Sequence, residues 1–422
     1  MASSIRRRSG QPEFFGVSQL LFTGRRGLKM IAGALEGTIC IDVSGPVAGP
    51  YAGSLLGDLG CEVIKVELPD GGDTHRGRNP KYEGYGPSFR VLNRNKKSIT
   101  LNLREKKGRE ILLKLLATAD ILIENFRPPT RKRLGLDYQE LSRQYPKLIH
   151  CSISGYGQSG PYRDKPGFDT IGQALSGMLS LVTDFDHPKV AGFSITDHSS
   201  GIFAAHGIMA ALLARHKTGR GQFVDVSLLQ VSLAFIESHV ADYLNGGEAV
   251  SRDNFPRGRI YCFVCGDDKP LVIHLSGHQK AWQELLKAAG RMDLLKDARF
   301  ATGKDRADQH WKIVEVLQET FHTQPRGYWL ERLDANDVPN APINSIEEVF
   351  DDPQVKHMGI PKQIDHPKMG KSNLIGSPIN LSDTPPQFFR PAPLLGEQTE
   401  EILQRLGYSE QAVKELRASG VV

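Results

Sequence analysis

The sequence predicts an α/β protein with a large domain on an open parallel sheet and a smaller α+β domain after it. Three observations carry this. Short apolar strands alternate with helical segments from residue 38 onward, and such β-α-β units close only into a parallel sheet. Hydrophobic residues make up 39% and charged residues 24% of 422 positions, the balance of an ordinary folded chain. A polar, Gly-containing stretch at 246–258 then separates this half from a hairpin and three helices.

The elements follow in order. A first strand is expected at 38–44, then a turn holding Gly45, Pro46, Gly49 and Pro50, a small-residue helix at 51–59 and a second strand at 62–67. Strands are expected at 98–103, 121–124 and 148–152, with a helix at 106–118 and a Gly/Pro-rich loop at 155–167. Helices follow at 170–181 and 199–216, a strand at 222–228, and one long helix from there to Leu244. Beyond the junction come a hairpin (260–265 and 271–275) and helices at 279–289, 310–323 and 326–333. Residues 361–393 are Pro-rich with strand-like pieces, and short helices at 399–406 and 411–419 end the chain. The expected organisation is a leader or non-native extension at 1–29, a Rossmann-like large domain at 30–225 and a linker helix at 226–249. A small α+β domain at 250–345 and a return segment at 346–422 that completes the large domain follow.

The net charge of +5 sits in the leader, where six cations between Arg6 and Lys29 face the single acid Glu13. The rest of the chain is neutral, which argues against a nucleic-acid footprint. An Arg-rich, acid-poor leader has the composition of a mitochondrial transit peptide, which would direct the chain to the matrix. The other reading is a non-native extension upstream of Met30 on a cytoplasmic protein. No apolar run is long enough to span a bilayer. Five cysteines in a chain this long suggest a reducing compartment and no disulfide framework. Cys262 and Cys265 lack a second ligand pair for zinc, so no metal site is expected, and both read as buried strand residues.

Four places carry candidate chemistry. The first turn lacks the G-x-G-x-x-G spacing, and its two prolines remove N–H donors, so a dinucleotide site is not expected. Arg94, Lys96 and Lys97 form one basic cluster before the third strand. Asn125 to Arg133 forms another beyond the end of strand 121–124, where open parallel sheets bind ligands. Taken alone, charge runs of this kind are usually solvated faces. Asp197, in Thr196-Asp197-His198-Ser199, opens a helix and reads either as its N-cap or as an oriented nucleophilic carboxylate.

These segments resemble the family III CoA-transferases of the CaiB/BaiF type, the group that includes formyl-CoA, carnitine and succinyl-CoA:glutarate CoA-transferases. The resemblance rests on Ala48-Gly49-Pro50, Glu62-Val63-Ile64-Lys65-Val66-Glu67, Asn93-Arg94-Asn95-Lys96-Lys97-Ser98, Glu124-Asn125-Phe126-Arg127-Pro128, Gly155-Tyr156-Gly157, Lys217-Thr218-Gly219-Arg220-Gly221-Gln222 and Pro393-Leu394-Leu395-Gly396. It implies an acyl-CoA:carboxylate CoA-transferase with Asp197 as the nucleophile. It implies CoA contacts from Val47, Ala48, Lys96, Leu101, Arg104, Asn125, Phe126, Arg127, Arg133, Pro166, Gly167, Phe168 and Asp169. It implies acyl-CoA and a free carboxylic acid as substrates, no permanently bound cofactor, no nucleic-acid or membrane partner, and an interlocked homodimer. Leu68 stands where formyl-CoA transferase has a basic residue, and no glycine run occupies the region around Pro256, Arg257 and Gly258. Both departures argue against formyl transfer as such.

The fold family also contains α-methylacyl-CoA racemase, whose Gly-His-Asp motif reads Gly167-Phe168-Asp169 here. Phenylalanine carries no proton, so two-base racemisation lacks a partner. A non-catalytic acyl-CoA binding protein, with Asp197 as a cap, is the other alternative. The acid pair is open, with succinyl-CoA a candidate donor. Arg252, Arg257 and Arg259 are candidates to grip a second carboxylate, and surface arginines account for them as well.

Overall fold

A computed structural model describes residues 33–78, 85–190, 192–252 and 259–422. The leader and Pro256, Arg257 and Gly258 lie outside the described residues. The first half runs β1 (Ile39–Asp42), α1 (Ala48–Asp58), β2 (Glu62–Glu67), α2 (Pro87–Leu92), β3 (Lys96–Thr100), α3 (Lys106–Leu116), β4 (Ile121–Glu124), α4 (Pro128–Arg133), α5 (Tyr138–Gln144), β5 (Ile149–Ser154), α6 (Asp169–Leu175), α7 (Ile195–Thr218) and β6 (Phe223–Ser227). The strands form one parallel sheet in the order β3-β2-β1-β4-β5-β6. The order reverses direction between β1 and β4, and a crevice opens at such a switch point beyond the carboxyl ends of the strands.

Alternate residues of the central strands feed two cores. Ile41, Ile64, Ile99 and Leu122 pack with α3 on one face. Cys40, Val63, Ile121, Ile123, Ile149 and Cys151 pack with α1 and α7 on the other. Burial on both faces is why these strands read as nearly continuous apolar runs.

The long helix expected after β6 is two, α8 (Leu228–Phe235) and α9 (Glu237–Leu244), because Ile236 leaves helical geometry at φ −112° and ψ 23°. The next unit holds β7 (Ile260–Val264), β8 (Pro270–His274), α10 (Gln279–Ala289), α11 (Gly303–Asp308), α12 (His310–Phe321), α13 (Arg326–Asp334) and β9 (Asn340–Pro342), with its three strands antiparallel in the order β7-β8-β9. Its core joins Tyr261, Phe263, Trp282, Phe321 and Trp329, with Phe263 and Phe321 stacked at 4.3 Å. Strand alternation corrects the reading of the cysteine pair: Cys265 is buried but Cys262 faces solvent, and neither is in a disulfide.

After α14 (Ile346–Val349) and α15 (Pro353–Met358) comes an antiparallel hairpin, β10 (Pro361–His366) and β11 (Gly370–Ile375). The chain then returns along the β3 edge. Phe389 and Arg390 donate N–H bonds to Asn95 Oδ1, and Gly396 N–H donates to Ser98 Oγ. The last helices, α16 (Thr399–Arg405) and α17 (Glu410–Ala418), bury Ile402, Leu403, Val413 and Leu416 in the core of the parallel sheet. No helix among the described residues is long and apolar enough to cross a membrane.

Candidate active site

A cleft of about 450 Å³ lies beyond the carboxyl ends of β1, β2 and β4. Val43, Val66, Leu101, Phe126 and Leu134 give it apolar walls, and Arg104 and Arg133 bring two cations. Neither guanidinium has an acidic partner among the described residues. Asn125 ties the mouth together: its Nδ2 donates to Gly45 O, and Gly45 N–H donates back to Asn125 Oδ1 at 3.2 Å. Phe126 is fixed by its own N–H, which donates to Glu124 Oε2 at 2.7 Å.

The other basic cluster lies under the sheet edge instead. Lys96 is fully buried, and its ammonium donates to Asp42 Oδ2 (2.8 Å), Pro50 O (2.7 Å) and Asn93 Oδ1 (3.0 Å). An ammonium has three protons, so none remains for a ligand. This corrects the expectation of a CoA contact from Lys96. Arg94 is likewise spent on buried Asp58, and Lys97 on Glu62 and Glu401. Beside them Lys65 pairs with Asp73 at 2.9 Å, and Arg76 forks onto Glu67. Arg76 also donates to Pro393 O, so these buried pairs hold loop 69–78 and the returning tail against the cleft. Lys65, Glu67, Leu68, Asp73 and Thr74 also line the cleft, and of these the sequence reading marks only Leu68. The signal was the three charges in Glu-Val-Ile-Lys-Val-Glu, a strand with buried neighbours on both sides.

Asp197 is the third residue of α7, not its cap. The N-cap is Ser194, and no side-chain cap bond forms there. The Asp197 N–H donates to Asp169 Oδ1 at 2.9 Å, while Gln173 Nε2 donates to Asp169 Oδ2 at 2.6 Å. No hydrogen bond reaches the Asp197 carboxylate among the described residues. Burial, then the neighbouring Asp169 charge, push its pKa up to about 6, against a pull downward from His198. His198 is itself oriented, with Nδ1 2.7 Å from Ser194 O and its ring edge-on to Tyr51 at 4.9 Å.

Two close approaches set this geometry. A Cβ on Gly201 would lie 2.8 Å from Ala48 O, so only glycine lets α7 press onto the first turn of α1. Val47 and Ala48 are buried at this start of α1, outside the cleft lining. A Cβ on Gly167 would lie 2.5 Å from Gly155 Cα, so the loop between β5 and α6 closes backbone to backbone and delivers Asp169. Pro166 and Phe168 are exposed and lie on this loop, Phe168 at 63%, rather than in the cleft. Arg127 is also exposed and outside the cleft lining. Of the two arginines near the junction that are described, Arg252 pairs with Asp184 and Arg259 borders a separate cavity. No group of three or more His, Cys, Asp or Glu among the described residues is placed to hold a metal ion.

Residues 35–399 match the model of CoA-transferase family III. The chain is 34% identical to the succinyl-CoA:glutarate CoA-transferase of Homo sapiens over 392 residues, covering 92% of this chain and 90% of that one. It is 35% identical to the succinate–glutarate CoA-transferase of Agrobacterium fabrum over 383 residues, covering 88% and 95%. The solved structure of a CaiB/BaiF family protein from Brucella suis superposes with a TM-score of 0.80 at 32% identity, covering 89% of this chain and all of that one.

Proposed function

The chain belongs to CoA-transferase family III, and on that premise we propose that it moves CoA between two carboxylic acids through a covalent thioester on Asp197. Its substrates are CoA thioesters, and it holds no permanent cofactor. The observation that carries the proposal is the free Asp197 carboxylate. It caps nothing, it sits half-buried beside a second carboxylate, and its raised pKa makes it a stronger base and nucleophile than an exposed aspartate.

In the proposed sequence an Asp197 oxygen attacks the thioester carbonyl carbon of the donor. The C–S bond breaks, leaving an acyl-aspartyl anhydride and CoA thiolate. The thiolate attacks Asp197 Cγ, the anhydride C–O bond breaks, and the donor acid leaves as its carboxylate. The acceptor carboxylate then attacks the aspartyl-CoA thioester, and the two steps run in reverse to give acceptor-CoA and free Asp197. Each step exchanges one acyl bond for another, so no proton or electron is gained or lost. Asp169, bonded to the Asp197 backbone, fixes the direction of the nucleophile. In this reading the anionic end of CoA is held by Arg104 and Arg133, which line the cleft with Leu101, Asn125 and Phe126.

Phe168 stands where an α-proton isomerase requires a proton carrier, which favours transfer. Succinyl-CoA with glutarate is the first substrate pair to try, by similarity to the human and Agrobacterium relatives. The test is CoA exchange between succinyl-CoA and labelled glutarate. Exchange that vanishes in Asp197→Ala supports the reading. Exchange that survives in that variant, or α-deuterium incorporation without exchange, refutes it.

A further inference from the structure

Where β8 runs into α10, far along the chain from Asp197, a second cavity of about 80 Å³ is enclosed by Arg259, Gly277, His278, Trp282, Gly303 and Arg306, among others. Its lining contains two arginines and a histidine and no acidic residue. Arg306 is only 6% exposed. Its Nη1 donates to Phe300 O (2.8 Å) and Ala301 O (3.2 Å), which fixes the guanidinium. Its Nη2 lies toward Gly303 in the lining, 3.8 Å from where a Cβ would stand. The same guanidinium lies over the Trp282 ring at 5.4 Å.

Trp282 is 1% exposed, and its indole Nε1 has no acceptor among the described residues. A buried indole N–H usually finds a partner, so one left unpaired in a cavity wall points to an acceptor that the described residues do not supply. Arg259 lies across Gly277, with Cζ 3.0 Å from a Cβ built there, and has no acidic partner among the described residues. The eleven-residue helix α10 begins at the same place. Its N-cap, His278, makes no side-chain cap bond, so the positive end of the helix is open. Arg259, Arg306 and Trp282 all bring N–H donors to the lining, and the volume suits one tetrahedral or planar oxyanion.

We propose that this cavity binds a small oxyanion, the carboxylate of a free acid or inorganic phosphate, held by Arg259, Arg306 and the Trp282 N–H. The site shares no residue with the cleft or with Asp197, so it stands or falls independently of the transfer mechanism. The test is calorimetric titration of the full chain with succinate and, separately, with inorganic phosphate. The variants are Arg259→Gln and Trp282→Phe, each compared with its parent in an Arg104→Gln background, so that anion held in the cleft does not contribute. The proposal expects saturable binding of at least one anion in that background, weakened about tenfold or more by Arg259→Gln and by Trp282→Phe. The preferred anion then identifies the source. Arg259 is exposed, so its replacement carries the test even if Trp282→Phe does not fold. No saturable binding of either anion in that background, or binding that Arg259→Gln leaves intact, overturns it.

Discussion

The backbone N–H of Asp197 donates to the carboxylate of Asp169 at 2.9 Å, so two carboxylates from different helices meet at the start of α7. The contact holds one aspartate by its main chain and leaves its side chain free. It also places a like charge beside that side chain, which, after burial, is the second cause of its raised pKa.

The first prediction concerns stability. The Asp197 pKa rises from 3.8 to about 6 on folding, so between those values the folded chain holds a proton that the unfolded chain has released. Stability therefore falls as pH rises through that window, and above it the full cost of the buried charge is present. Asp197→Asn removes the cost and should stabilise the fold at pH 7 to 8, by at most about 3 kcal/mol. The gain should vanish below pH 4. Thermal melts of both proteins across pH check this, and a destabilised variant at pH 7 would contradict it.

The second concerns rate. With Asp197 required as the carboxylate, kcat/KM should fall on the acid side with a midpoint near pH 6. Asp169→Asn removes the neighbouring charge while keeping an acceptor for the Asp197 N–H. It should move that limb to lower pH, and a pH–rate profile of the variant reads the shift directly.

The third separates two basic clusters that look alike in sequence. Arg104→Gln and Arg133→Gln should raise KM for acyl-CoA, by about five- to tenfold each, with kcat little changed. Lys96→Met should instead strand Asp42 as a buried, unpaired charge and destabilise the fold by about 3–5 kcal/mol. Denaturant melts beside steady-state kinetics tell these outcomes apart.

The fourth concerns the loop that carries Asp169. In Gly167→Ala the new methyl meets the Gly155 backbone, which cannot rotate away as a flexible side chain would. The loop must open, Asp169 moves, and kcat should drop by more than KM rises. Kinetics on a variant shown to be folded by circular dichroism check this.

The parallel sheet was legible because its central strands are buried on both faces. Strands 62–67 and 121–124 fall where the structure has them. Local signals failed where distant residues decide. Asp197 looks like a helix cap, yet α7 starts earlier because an acceptor 28 positions upstream, Asp169, takes up a first-turn N–H. Lys96 looks like a surface charge until β1 brings Asp42 against it across 54 positions. Strand β9, three residues long, shows no alternation to read and exists only by pairing with β8. In the cleft, Arg104, Asn125, Phe126 and Arg133 were named from motifs, but Lys65 and Asp73 emerge only once loop 69–78 folds back.

The most direct test of the central claim is the intact mass of the protein after incubation with succinyl-CoA, followed by peptide mapping. The account predicts a CoA-sized adduct on the peptide containing Asp197, absent in Asp197→Asn and discharged by an acceptor acid or by hydroxylamine. CoA exchange proceeding with no adduct on that peptide, or with the adduct on another residue, would contradict it.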